Sequence, residues 1–130
     1  MTSHEINIPE VLAEATVAFD RYEAALAVND LDTLAELFWD SELTLRYGPN
    51  GTLLGHAAID GFRRARDIRG VDRTLRNTVI TTFGRDVATA NTEAVRAGDT
   101  AISRQSQTWI RMPEGWRIVS AHVSEPATGR

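Results

Sequence analysis

The spacing of apolar residues along the chain changes near residue 70. Before that point they recur at steps of three and four, the repeat of an amphipathic helix. This pattern predicts a long helix from Pro9 to Asn29, a short second helix capped by Asp30, and a third helix that starts after Gly55 and ends before Gly70. The apolar stripe of the long helix consists of Ile8, Leu12, Ala15, Phe19, Tyr22 and Leu26.

Beyond residue 70 the chain becomes rich in Thr, Val and Ile, which predicts strands. Short turns that contain glycine separate these strands, so we expect an antiparallel meander. The four predicted strands of this meander are 75–83, 87–97, 100–112 and 116–125, and an earlier hairpin is predicted from strands 43–47 and 52–54. Three N-terminal helices packed on one face of a curved antiparallel sheet form an α+β fold, and a sheet curled around the first helix leaves a cone-shaped cavity.

The length of 130 residues fits one domain that spans 1–130, with its core at about 8–125. The chain has no cysteine, which excludes disulfides, a thiolate nucleophile and zinc held by sulfur. It has neither an apolar run of about 20 residues nor the start of a signal peptide, so we expect a cytoplasmic protein that does not enter a membrane. The net charge of -4 argues against nucleic-acid binding.

The charges are unevenly distributed. Residues 1–60 contain 11 acids and two arginines, whereas residues 61–130 contain 12 arginines and seven acids. All 14 basic residues are arginine, a composition that a GC-rich genome also produces. The absence of lysine excludes Schiff-base chemistry, and the planar guanidinium suits the two-point binding of carboxylates.

The order of elements and the closing segment GWRIVSAHVS (115–124) resemble the NTF2-like or SnoaL-like superfamily, whose domains form a cystatin-like cone. Four further segments are similar to the AtzH/HpxZ-like group within it, and the resemblance covers about residues 5–125. These segments are LRYG (45–48), IDGFRRAR (59–66), TVITTFG (78–84) and RQSQTWIR (104–111).

This resemblance implies a small homodimer without cofactors that works beside amidase-signature hydrolases in the catabolism of cyanuric acid or oxalurate. The AtzH branch is a decarboxylating amidohydrolase that acts on 1,3-dicarboxyurea. The resemblance therefore implies a small carboxylated urea or amide as substrate.

Two residues are the strongest candidates for catalysis. Tyr22 lies in the apolar stripe of the first helix, so its hydroxyl must point into the domain and find a partner there. It is either a core tyrosine or, as the ketosteroid isomerases of the superfamily imply, a donor to a developing oxyanion. Arg46 alternates with Leu45 and Tyr47 in the first strand, and it either faces water or points into the cavity as an anion clamp.

His122 is the third catalytic candidate, because strict alternation places it on one strand face with Trp116 and Ile118. A structural histidine satisfied within the sheet is the alternative. No histidine spacing typical of a metal site occurs, so no metal is expected.

Three residues are candidates for substrate binding in addition to Arg46. Arg66 comes one turn after Phe62, which is expected on the buried face of the third helix, and it can reach the cavity rim, whereas Arg63, Arg64 and Arg69 are interpreted as a solvated helix face. Gln107 and Trp109 share a strand face with Gln105, where they either orient a polar substrate or belong to a sheet-to-sheet dimer interface.

Together these observations predict a cofactor-independent hydrolase or lyase. Arg46 would hold a substrate carboxylate, Tyr22 would donate to the carbonyl oxygen, and His122 or an ordered water would move protons. The alternative is a non-catalytic ligand-binding or accessory partner of an amidase-signature hydrolase.

Overall fold

The computed structural model describes residues 2–66 and 72–126. Within them the helices are α1 (Pro9–Val28), α2 (Leu31–Leu37) and α3 (His56–Ala65), preceded by a short 3-10 turn at Ser3–Glu5. The strands are β1 (Leu45–Gly48), β2 (Gly51–Leu54), β3 (Arg73–Phe83), β4 (Val87–Arg96), β5 (Ile102–Met112) and β6 (Gly115–Ser124). The predicted extension of the third helix towards Gly70, including Arg69, falls outside the described residues.

The predicted stop and cap signals act as expected. Asn29 adopts the left-handed conformation (φ 55°) and ends α1, while the Oδ1 atom of Asp30 accepts a hydrogen bond from the backbone N–H of Thr33 at the start of α2. Among the described residues, no helix is both long and apolar enough to cross a membrane.

The six strands form one sheet in the order β2-β1-β6-β5-β4-β3. All neighbouring strands are antiparallel except β1 and β6, which run parallel. This sheet and the three helices confirm the predicted α+β cone.

The helix α1 packs against the concave face of the sheet. It buries Val11, Ala15, Phe19 and Tyr22 at helical spacing, whereas the predicted stripe residue Leu12 is only half-buried. On the sheet side, the core includes Trp109, Trp116, Ile118 and Ala121. Side chains from α1 and from the sheet therefore fill the centre of the cone, so a ligand on the concave side must bind beyond this core.

A β-bulge in β6 overturns the predicted orientation of His122. Trp109 pairs with Ile118, but its neighbour Thr108 pairs with Ser120, so that Val119 is an extra residue in β6. The extra residue reverses the alternation beyond it. Ala121 is therefore buried on the concave side and His122 is exposed on the convex face, opposite to Ile118.

On the convex face, the rings of Tyr47 and His122 meet edge-on, with centroids 5.6 Å apart. They border a groove of about 370 Å³ with Thr89, Asn91 and Ser106. We propose that this face forms the homodimer interface. A solvent-exposed sheet face with both aromatic and polar side chains is commonly covered by a second copy of the chain.

Light scattering at micromolar concentration should then give a mass of about twice 14.4 kDa. Tyr47→Glu places a charge on this face and should shift the mass towards that of the monomer. A wild-type protein that scatters as a monomer would contradict the proposed dimer.

Candidate active site

A cavity of about 210 Å³ lies on the concave side of the sheet, between α1, α3 and the ends of β1 and β6. Tyr22 and Arg46 both line it, as the helix stripe and the first strand predicted. Its further polar lining consists of Asn50, Arg63, Arg66, Arg96, Gln105 and Glu125.

Tyr22 is held at the inner wall of this cavity. Tyr22 is only 3% exposed, and its ring packs edge-on against Phe38 and Trp109 with centroid distances of 6.2 and 6.4 Å. The Nη2 atom of Arg63 donates a hydrogen bond to the Tyr22 hydroxyl oxygen at 2.9 Å. The buried phenol therefore has a partner, and its own proton is still available for donation.

The interpretation of Arg63 as part of a solvated face of α3 is wrong, because its side chain is buried. Arg63 is 8% exposed and lies one helical turn after the buried Ile59, so the two side chains share a face. The spacing of four residues was visible in the sequence, but a run of arginines normally faces water. Arg64 does so and pairs with Asp60 at 2.8 Å.

Arg46 points into the cavity, although its neighbour Tyr47 is exposed on the convex face. Its guanidinium lies over Gly48, where a Cβ atom would come within 2.8 Å of Nη1. Burial lowers the pKa of Arg46 from its ordinary value, and the positive charge of Arg63 lowers it further. Arginine nevertheless stays protonated at neutral pH, so the cavity holds a partly desolvated cation.

The cavity carries more positive charge than the described carboxylates neutralise. Arg96 pairs with Glu125 at 2.9 Å. In contrast, Arg46, Arg63 and Arg66 form no ion pair with any residue in 2–66 or 72–126. The Cζ atoms of Arg46 and Arg66 lie 5.7 and 5.1 Å from the centre of the Phe62 ring. These cation–π contacts stabilise both guanidinium groups but do not neutralise their charge.

Gln105 supplies a further donor from β5. Arg73 Nη2 donates to the Gln105 Oε1 atom at 3.2 Å and to Glu23 Oε1 at 2.7 Å, while Gln105 Nε2 donates to Glu23 Oε2 at 3.3 Å. This buried network sets the orientation of the amide, and no residue in the described part of the chain accepts from the second N–H of Gln105. Tyrosine, arginine and amide donors together suit a small ligand rich in negatively charged acceptor oxygens.

A family model described as AtzH-like matches residues 4–128. The chain belongs to the AtzH-like family. A search of curated proteins gives no significant match.

Solved structures share the whole domain with this AtzH-like chain. A protein of unknown function from the DUF3225 family of Pectobacterium atrosepticum is 55% identical, with a TM-score of 0.94 over 98% of this chain and 99% of its own. A cystatin-like fold protein from Burkholderia xenovorans is 41% identical (TM-score 0.88, 96% and 98%). An NTF2-like superfamily protein from Salmonella enterica is 29% identical (TM-score 0.67, 93% and 94%).

Three sequence candidates do not reach the cavity of this AtzH-like domain. His122 is on the opposite face of the sheet, beyond the bulge. Gln107 and Trp109 do face the concave side, but both are buried in the core, where Trp109 Nε1 donates to Gln107 Oε1 at 3.0 Å. Because both side chains are buried in the core, they do not contact a ligand in this cavity. Gln105, which the sequence placed on the same strand face as these two residues, lines the cavity instead.

A larger groove of about 500 Å³ lies outside α1, beside Val17 and Trp116. Its volume exceeds that of the concave cavity, but both of its arginines, Arg21 and Arg117, already have Glu36 as a carboxylate partner. Arg21 pairs with Glu36 at 2.8 Å, and the indole of Trp116 donates to Glu14 at 3.4 Å. The smaller concave cavity is therefore the better candidate for chemistry, because its cations are the unneutralised ones.

Proposed function

We propose that this AtzH-like protein is a cofactor-independent decarboxylating amidohydrolase that acts on small carboxylated ureas such as 1,3-dicarboxyurea. The observation that carries this proposal is the small concave cavity, in which the Tyr22 hydroxyl lies among three arginines that no described carboxylate neutralises. Such a lining favours a compact anion with a carbonyl group between its charged ends.

The proposed reaction breaks the bond between the carboxyl carbon and the urea nitrogen. Carbon dioxide leaves, and the electron pair of that bond stays on the nitrogen and delocalises onto the urea carbonyl oxygen. Tyr22 donates its hydrogen bond to this oxygen as the negative charge develops there. The nitrogen then takes up a proton, which yields the monocarboxylated urea.

Arg46 has a separate role in this scheme. We assign it to the carboxylate that the substrate retains, because an arginine bound to the departing carboxylate would stabilise the substrate more than the transition state. Charge-assisted contacts at the retained end hold the molecule with its carbonyl oxygen towards Tyr22.

Water, rather than His122, is the proton source in this proposal. His122 lies on the convex face, so it cannot reach a ligand on the concave side. The exposed side chains of Asn50 and Arg96 line the cavity, so bulk water has access to a bound ligand at this end.

One observation favours a second candidate function, a binding or accessory partner of an amidase-signature hydrolase. Glu125 is the one carboxylate among the described lining residues, and it is paired with Arg96. The described part of the cavity thus has no free carboxylate or imidazole that could act as a general base. A pocket of this kind could hold a carboxylated urea without converting it.

Turnover by the purified protein separates the two candidates. With freshly prepared carbon-13-labelled 1,3-dicarboxyurea, nuclear magnetic resonance should show release of carbon dioxide and formation of the monocarboxylated urea well above the spontaneous rate. Saturable binding without acceleration would instead support the binding partner and contradict the enzyme.

A further inference from the structure

We propose that Arg63 is a positioning residue that directs the Tyr22 hydroxyl proton into the cavity; this inference rests on the proposed function. The contact between Arg63 Nη2 and the Tyr22 oxygen is 2.9 Å long. A guanidinium can only donate, so the phenol oxygen is the acceptor in this bond. The phenol must therefore direct its own proton to another group.

The surroundings of Tyr22 leave few directions for that proton. The rings of Phe38 and Trp109 flank it edge-on and provide no strong acceptor, because a phenyl ring has no polar atom and the indole N–H of Trp109 can only donate. Tyr22 also lines the concave cavity. An acceptor oxygen of a bound ligand is thus the natural partner for the hydroxyl.

The burial of Arg63 is difficult to explain by stability alone. Its guanidinium lies 5.7 and 5.9 Å from the ring centres of Phe38 and Tyr22, with no described carboxylate beside it. Its Nε atom is buried and has no hydrogen-bond partner among residues 2–66 and 72–126. A protein with a well-packed apolar side chain at such a site is often as stable as one with a buried charge, or more stable. A buried donor without an acceptor therefore needs an explanation other than stability.

Function supplies that explanation. As negative charge develops on the substrate oxygen, the Tyr22 hydroxyl donates to it while Arg63 donates to Tyr22. In such a chain each hydrogen bond polarises the next, and a low-dielectric site strengthens both. Arg63 therefore acts on the transition state through Tyr22.

Direct binding of a substrate carboxylate by Arg63 is the competing explanation, because Arg63 also lines the cavity. The two roles differ in kinetics. A residue that acts through Tyr22 affects kcat and becomes irrelevant once the hydroxyl is removed. A residue that binds the substrate itself affects KM whether or not the hydroxyl is present.

A double-mutant cycle tests this difference with 1,3-dicarboxyurea as substrate. We expect Arg63→Met to lower kcat roughly 10-fold or more in the wild-type background, as for partial loss of an oxyanion donor. In the Tyr22→Phe background, the same substitution should change kcat by less than about 2-fold. Arg66→Met is the matched control: it removes a cation from the same cavity, and its effects should be equal in both backgrounds.

A conservative variant adds a second readout. Arg63→Lys keeps a charged donor, so it should recover part of the kcat that Arg63→Met loses; this comparison also applies if the methionine variant folds poorly. An equal kcat loss in both backgrounds, or a loss confined to KM, would overturn the role of Arg63 while the proposed function stands. A wild-type protein without turnover would overturn both.

Discussion

Tyr22→Phe should lower kcat on 1,3-dicarboxyurea roughly 100-fold or more, the scale of losing one oxyanion donor. The substitution removes one hydroxyl and leaves the ring packed against Phe38 and Trp109. It also deprives the buried Arg63 of its acceptor. We therefore expect the free energy of unfolding to fall by about 1 to 2 kcal/mol, which a folded domain tolerates.

The other tyrosine of the chain provides a matched control. Tyr47→Phe makes the same chemical change on the convex face, away from the cavity, and should leave kcat and KM unchanged. Steady-state kinetics and thermal melts of both variants make the comparison. A folded Tyr22→Phe protein with kcat within about threefold of the wild type would remove Tyr22 from the chemistry.

Arg46→Ala should raise KM for 1,3-dicarboxyurea about 10- to 100-fold, because a charge-assisted contact contributes roughly 1.5 to 3 kcal/mol. The inhibition constant of the neutral diamide with the same skeleton should change far less, since it has no carboxylate for the guanidinium to bind. Arg104→Ala is a suitable control, because Arg104 is exposed and paired with Glu93 outside the cavity.

Gly48→Ala tests the contact between Arg46 and the substrate carboxylate without removing the charge of Arg46. Gly48 does not have a positive φ, so its backbone accepts alanine. The added Cβ atom would lie 2.8 Å from Arg46 Nη1, and the flexible guanidinium must move away. We expect a KM between those of the wild type and Arg46→Ala. Equal losses for the carboxylated substrate and the neutral diamide in Arg46→Ala would contradict the role of Arg46 as a carboxylate clamp.

Local patterns in the sequence predicted most of the fold. Helical spacing placed Phe19 and Tyr22 in the core, the left-handed tendency of Asn29 ended α1, and the side chain of Asp30 capped α2. These features depend on residues close in the chain, so the sequence alone is informative about them. The position of Tyr22 at the cavity follows from the same local rule.

The errors arose where a strand or a helix departs from its regular pattern. Strict alternation assigned His122 to the face of Ile118, but the extra residue Val119 in β6 reverses the alternation. Gln107 and Trp109 were assigned to the correct face, but their depth in the core depends on how far the cavity extends along β5. Composition likewise suggested a solvated Arg63, because buried arginines are rare.

The sequence by itself determined the α+β cone, the inward stripe of α1 and an abundance of arginine suited to anionic ligands. The tertiary structure alone decided which arginines line the cavity with Tyr22, because Tyr22, Arg46 and Arg63 come from three different elements that converge only when the sheet curls around α1. It also decided that Arg63 donates to Tyr22, a contact across 41 positions. Local periodicity specifies the face on which a side chain lies, whereas packing between elements specifies its partner.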